Sequence, residues 1–556
     1  MSRTSIVIAA GLALLGFLLP IDAVAVGLAG ANSPVLDAVR TGVWCFKAGL
    51  LLHATLLVII PRLPMAQVRS AALSPMTAEP VIRAPQWEWA VMAAILLVAA
   101  LLRFYQLPNG LWFDEIQTLV EYVRDPMGQI VTTYDSQNQH LLYSILARLS
   151  FNVFGESALA LRLPAAALGI ASVLAVYLFA RLITTRTEAV LAAAFLAFSY
   201  HHVWFSQNAR GYTGLLLWTL LGSACFLRLI TGRYQRPWGL ALLYGLCMAL
   251  AAYTHITAVL VAAAHFIIWL VLYLRAGPPR GLDAWIPCFG IVFAASLTIQ
   301  LYALVLPQVF GTVLHPPRGA AATEWQSPLW FLTEALRGLG QGVPGGWLTL
   351  GAGIVVVTAG LASYWRRGRA VVAIMLLPAI ISGIALLALQ HNLWPRFFFF
   401  SAGFGVLILV RGGFALVQWL LPRRFRILAP IGIVLVIAAS AMTVPRAWNP
   451  KQDFTRASEF LEEAVRPGDS VVTVDLTRFP YQDYYRKEYL PVESLEQLEG
   501  IEASDRQTWV VYTFPIRLAV VQPQIWSRLQ DQYTRAASFP GTIGGGAIVV
   551  MKSKAQ

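Results

Sequence analysis

Acidic, imidazole and guanidinium side chains recur in short clusters along an otherwise apolar chain. In "LRFYQLPNGLWFDEIQTL" an apolar run ends near Tyr105 and a Pro-Asn-Gly turn leads into Asp114 and Glu115. A carboxylate pair at the end of a hydrophobic segment is a candidate general base, because a base needs only a positioned acceptor for a proton. Acids near a helix start also complement the helix dipole, so this reading stays open beside the catalytic one. "YDSQNQHLLYSIL" brings Asn138, Gln139 and His140 to the start of an amphipathic stretch, and "YHHVWFSQNARGYTG" gathers Gln207, Arg210 and Tyr212. "YTHIT" holds His255, and "HNLWPRFFFF" sets Arg396 beside four phenylalanines. A guanidinium suits phosphate, which it meets with two parallel hydrogen bonds; its bland alternative is snorkelling at a membrane interface.

The elements that must position these groups are membrane helices. Of the 556 residues 58% are hydrophobic and 12% charged, with a mean hydropathy of +0.64, about half the charge of a soluble domain. About thirteen apolar runs long enough to cross a bilayer are expected, at 5–28, 42–60, 87–105, 161–183, 188–205, 211–230, 238–253, 256–274, 284–306, 346–364, 370–390, 397–421 and 427–444. Cys45, Cys225, Cys247 and Cys288 all fall in or beside these runs and read as small core residues.

Net charge is +13, yet nucleic acid is not the partner it implies. Residues 445–556 hold 13 Lys+Arg against 14 Asp+Glu, leaving 28 against 14 for the membrane part. That excess sits in alternate short loops, at Arg181, Arg186, Arg233, Arg366, Arg367 and Arg423 among others, which predicts a cytoplasmic N-terminus. The outer side then receives the first long loop, 106–160, together with His140, His201, His202, His255, His315 and His391. It also receives the tail 445–556, whose alternating helix and strand patterns predict a small α/β domain.

In order and in expected topology these clusters resemble the polyprenyl-phosphate-sugar-dependent glycosyltransferases of the C-type (GT-C) membrane fold, in the bacterial branch that includes protein O-mannosyltransferases and aminoarabinose transferases. "LWFDE", "NQHLLYSIL", "SQNARGYTGLLL", "YTHITAVLVAAAH" and "PRFFFF" carry the resemblance, which runs from about Trp87 to Arg426. It departs where the branch has His-Pro-Leu-Tyr and this chain has His140-Leu141-Leu142-Tyr143. The resemblance implies an all-α polytopic membrane bundle with a small C-terminal α/β extracytoplasmic domain. Residues 1–86 would be two added helices and a cytoplasmic loop, 87–444 the catalytic core, and 445–556 the outer domain, in a bacterial inner membrane.

Its implied activity is inverting transfer of a sugar from a polyprenyl-phosphate donor to a hydroxyl of a protein, lipid or polysaccharide. Asp114 would be the base, with Glu115 beside it, while Arg210 and Arg396 would stabilise the leaving phosphate and His140, Gln207, Tyr212 and His255 would orient the donor. No cofactor is firmly implied. Relatives differ in divalent-metal use, and Asp114, Glu115 and His140 are the groups able to bind one, without diagnostic spacing. The rival classes are a transporter or flippase, which would place polar groups at mid-membrane and on both sides, and a non-enzymatic envelope scaffold.

Overall fold

A backbone in hydrocarbon can satisfy its polar groups only within its own segment, so the apolar runs fold as helices. The computed structural model describes residues 3–59, 73–74, 85–276, 282–314, 325–342, 346–504 and 507–554; His315 lies outside them. Among the described residues ten helices are long and apolar enough to span a membrane, or twelve if each of two bent pairs is one span. The remaining expected span, 346–364, is the helix Gly346–Arg367.

Two expected spans are broken. The first bends by 84° between Leu18 and Ile21, where Pro20 cannot continue a hydrogen-bond ladder. Lys47 donates to the carbonyl of Leu19 at 2.7 Å at that break. Asp22, the acid within this run, pairs with Arg40 at 2.8 Å. The other bends by 58° between Ala197 and Tyr200, where Ser199 caps the new helix by accepting from His202 N–H.

Close helix packing relies on small residues. A Cβ at Gly360 or Gly412 would collide with the carbonyl of Ile408 or Val356, so helices Gly346–Arg367 and Ala402–Leu420 touch backbone to backbone. Two buried acids lie in the bundle away from the first long loop, each met by arginine. Glu188 binds Arg411 at 2.8 Å, and Glu88 lies 3.4 Å from Arg181.

After the last span, strands β1 (Ser470–Val474), β2 (Leu490–Val492), β3 (Thr508–Tyr512), β4 (Tyr533–Phe539) and β5 (Ile548–Ser553) form one sheet in the order β2-β1-β3-β5-β4. β1 runs parallel to β2 and β3, with Val472 opposite Leu490 and Val510; β3 and β5 are antiparallel, with Val511 opposite Val550. Alternate residues of a strand face opposite ways. Trp509, Val511, Ile548 and Val550 therefore join a core with Leu111, Ile116 and Leu119 of the first long loop and Phe454 and Leu461 of helix Phe454–Ala464. Val472, Val510 and Met551 pack on the other face against Leu529 of helix Pro523–Gln532. The sheet domain thus shares a hydrophobic core with the loop that carries Asp114.

Candidate active site

The Pro-Asn-Gly turn is held by a residue the sequence reading passes over. Arg162, in the first turns of helix Ala158–Ile183, donates to the carbonyls of Leu107, Asn109 and Gly110 at 2.7–2.9 Å and grips Glu115 through Nε and Nη2 at 2.7 and 2.6 Å. All five guanidinium N–H donors are used. Glu115 also accepts from Ala209 N–H at 2.7 Å. Burial alone would raise this carboxyl, but Arg162 holds it below its ordinary value.

Glu115, expected beside Asp114 as a second catalytic carboxylate, is thus an ionised brace with both oxygens engaged. Glu115→Gln leaves Arg162 buried without its counter-charge, at 4% side-chain exposure. Losing one partner of such a pair costs about 3–5 kcal/mol. Denaturant unfolding in detergent should show that loss.

Asp114 faces away from this brace. It lies in the short helix Phe113–Gln117, and its Oδ2 accepts from Arg396 Nη1 at 2.9 Å. Arg396 opens the segment Pro395–Ser401 and stacks 4.7 Å from the Trp394 ring.

Beyond Arg396 lies a patch of donors. His140 sits 4.7 Å from His255 and 5.3 Å from Tyr212, ring to ring, and the Arg210 guanidinium lies 5.9 Å from the Tyr212 ring. His140 Nδ1 accepts from Gly211 N–H at 2.8 Å, so in the neutral ring the proton is on Nε2, 3.3 Å from Arg210 Nη2, itself a donor. His255 Nδ1 lies 2.8 Å from the Thr257 hydroxyl and accepts from the Thr257 backbone N–H at 3.4 Å, which likewise puts its proton on Nε2. Burial, then Arg210 and other neighbouring charges, pushes His140 well below its ordinary value and His255 to about 3, so both rings are neutral at physiological pH.

His255 Nε2, Arg210 Nε, Arg396 Nε and the Tyr212 hydroxyl are buried without a hydrogen-bond partner among the described residues. Buried donors ordinarily find acceptors. A patch with donors to spare, two of them on permanent cations, has the chemistry to hold an anion. Gly211 is needed at this spot, because a Cβ there would come within 2.8 Å of His140 Nδ1 and of the Thr254 carbonyl.

Of the eight expected site residues, Asp114, Arg396, Tyr212, His255, His140 and Arg210 form this one cluster. Glu115 braces it from behind. Gln207 is spent elsewhere, donating to the carbonyls of Arg103 and Tyr105 at 3.0 and 2.6 Å. Among the other histidines expected on the outer side, His202 bridges Arg103 and Ser172, His201 meets the Gly338 carbonyl, and His391 meets the Val313 carbonyl. No group of three or more His, Cys, Asp or Glu suited to a metal is present among the described residues. With Asp114 on Arg396 and Glu115 on Arg162, the set Asp114, Glu115 and His140 does not fit a divalent ion. A cleft of about 610 Å³ lined by Arg228, Arg233 and Arg236 lies near the far end of helix Tyr212–Ile230 and is separate from this cluster.

Lys451, just past the last span, is buried among these groups. Its Nζ donates to the Gln207 carbonyl at 2.7 Å and lies 5.0 Å over the Trp204 ring. Burial pushes this ammonium down to about 7, against the pull of Glu115. An unfolded lysine titrates near 10.5, so between about pH 7 and 10.5 the unfolded chain binds more protons and stability rises with pH. Melting temperatures measured across that window should climb, and Lys451→Met should flatten the climb.

Bundle, first loop and capping sheet domain together have the C-type fold of the membrane glycosyltransferases. Residues 138–299, which carry five of the eight expected site residues, match the family model of dolichyl-phosphate-mannose-protein mannosyltransferase. ArnT from Cupriavidus metallidurans in the apo state superposes with a TM-score of 0.50 at 13% identity, over 85% of this chain and 99% of that one. Its undecaprenyl-phosphate-bound form gives 0.49 at 14% over the same shares. The oligosaccharyltransferase AglB from Archaeoglobus fulgidus gives 0.48 at 13%, over 83% and 74%. No curated protein matches the chain by sequence.

Proposed function

We propose that this chain is an inverting glycosyltransferase that moves a sugar from a polyprenyl-phosphate donor to an acceptor hydroxyl. The observation that carries the reading is the surplus of buried donors around Arg210, His140, His255, Tyr212 and Arg396 next to a carboxylate, Asp114, that only Arg396 engages among the described residues. A phosphate fills the first requirement and a hydroxyl nucleophile the second. The family model matched by residues 138–299 is named for a lipid-phosphate sugar donor, and the lipid tail would lie along the apolar helices flanking the patch.

In the reaction the acceptor oxygen attacks the anomeric carbon while Asp114 takes its proton. The bond from that carbon to the phosphate oxygen breaks, and its electron pair leaves with the lipid phosphate. Arg210 and Arg396 face the charge that builds on the departing phosphate, and neutral His140 and His255 add N–H donors that need no reorganisation. Arg396, reaching both Asp114 and the donor patch, sets the distance between base and leaving group. Attack from the side opposite the phosphate inverts the anomeric centre.

The arginine bias of alternate loops supports placing the site and the sheet domain outside the cytoplasmic membrane of a bacterium. Purified protein supplied with a panel of radiolabelled polyprenyl-phosphate sugars and envelope acceptors should release the bare lipid phosphate and label an acceptor. Absence of turnover across the panel would overturn the reading in favour of a scaffold, and donor crossing a vesicle membrane unchanged would favour a flippase.

A further inference from the structure

Phe113 is the first residue of the helix that carries Asp114, so its N–H has no acceptor within that helix. The acceptor arrives from 339 positions away: Oε1 of Gln452 receives the Phe113 N–H at 3.1 Å. Gln452 is 2% exposed, and its Nε2 donates to the Thr513 hydroxyl at 3.1 Å. A backbone N–H can only donate, so the amide has one orientation, Oε1 to Phe113 and Nε2 to Thr513.

Thr513 directly follows β3, and the segment after β1, parallel to it, touches the same turn. Phe479 lies 6.0 Å from Phe113, ring to ring. The carboxyl ends of two parallel strands thus bear on the residue before Asp114, while Arg162 holds the residue after it through Glu115. Asp114 itself makes a single side-chain hydrogen bond among the described residues, to Arg396. Its position is therefore set by its backbone, and Gln452 is the side chain that fixes one end of that backbone.

We propose that Gln452 is a positioning residue for the Asp114 carboxylate, and that the C-terminal α/β domain acts in sugar transfer by holding this turn. The inference rests on the reading of Asp114 as the base. Misplacing a reacting group by about 1 Å costs up to roughly 100-fold in rate, whereas Gln452 makes no hydrogen bond to Arg210, His140 or His255 among the described residues.

Gln452→Met keeps the volume and removes the acceptor. Its expected result in the full-length protein is a 10- to 100-fold lower kcat, an unchanged KM for the lipid donor, and faster amide exchange confined to residues 111–117. Gln452→Glu, which still accepts from Phe113 and can accept a hydrogen bond from the Thr513 hydroxyl, should recover much of that kcat. Thr513→Val, which loosens Gln452 from the other side, should lie between, and it decides the matter if Gln452→Met fails to fold. An unchanged kcat in these variants overturns the proposal, as does a raised donor KM with kcat intact, or faster exchange at 111–117 without loss of rate. Asp114→Asn, assayed alongside, separates the two failures. If it is inactive while Gln452→Met is fully active, only the positioning role falls; if it is active, the assignment of the base falls.

Discussion

Asp114→Asn is expected to lower sugar transfer by about 100- to 10,000-fold, the range over which a positioned general base contributes, while leaving affinity for the lipid phosphate within about threefold of wild type. The substitution is nearly isosteric and its amide oxygen still accepts from Arg396, so the 2.9 Å link between the two side chains survives. Only the capacity to take a proton is lost. The brace through Glu115 and Arg162 is separate, so melting temperature should stay close to wild type, in contrast to Glu115→Gln. Single-turnover assays at saturating donor separate this outcome from a binding defect. A rate near wild type would move the base elsewhere.

Adjacent acids with opposite duties illustrate what the sequence can and cannot carry. The span ending near Tyr105 and the Pro-Asn-Gly turn announce an acidic pair at the bundle's edge, because apolar run length and turn chemistry are local signals. Which of the two acids is free depends on Arg162, 47 positions beyond Glu115. In "ALRLPA" that arginine reads as one charge at a helix end, and only folding shows its five donors converging on one turn. The partners of Gln207 were hidden for the same reason. It lies beside Arg210 in sequence, yet at the end of helix Tyr200–Ser206 it turns back to the carbonyls that end helix Gln86–Phe104.

The helices were legible wherever apolar length decided the matter. The breaks were not, since Ser199 sits inside a run whose hydropathy continues past it, and a cap matters only once the chain has turned. In the tail, β1, β3 and β5 follow from their valine-rich patterns. β2 is three residues long, and β4 has three of its seven residues polar or charged, so both depend on their neighbours for pairing. Gln452 gave no signal, because a glutamine before a helix is ordinary and its partner Phe113 is apolar.

Arg210→Gln should separate the stability of the donor patch from its function. Arg210 is 2% exposed, its Nε has no partner, and its Nη2 faces His140 Nε2–H, donor against donor. The carboxylate at this end of the site is already bound to Arg396. Without a ligand the patch is thus a concentration of uncompensated donors, a local cost of the kind that binding sites retain. Neutralising Arg210 relieves that repulsion, so the melting temperature of the donor-free protein should not fall and is expected to rise by a few degrees.

The functional loss should be large. Removing one preorganised donor from a charge-stabilising site costs about 100- to 1000-fold in rate, and Arg210→Lys should restore only part of it because an ammonium lacks the planar fork. The decisive readout is the shift produced by polyprenyl monophosphate. In wild type this ligand should raise the melting temperature, since it binds the folded state alone. In Arg210→Gln most of that shift should vanish, and in Asp114→Asn it should persist. A full ligand-induced shift in Arg210→Gln would mean that the phosphate binds elsewhere, whereas its loss, with the unliganded protein as stable as before, would tie the buried donor surplus to the lipid phosphate.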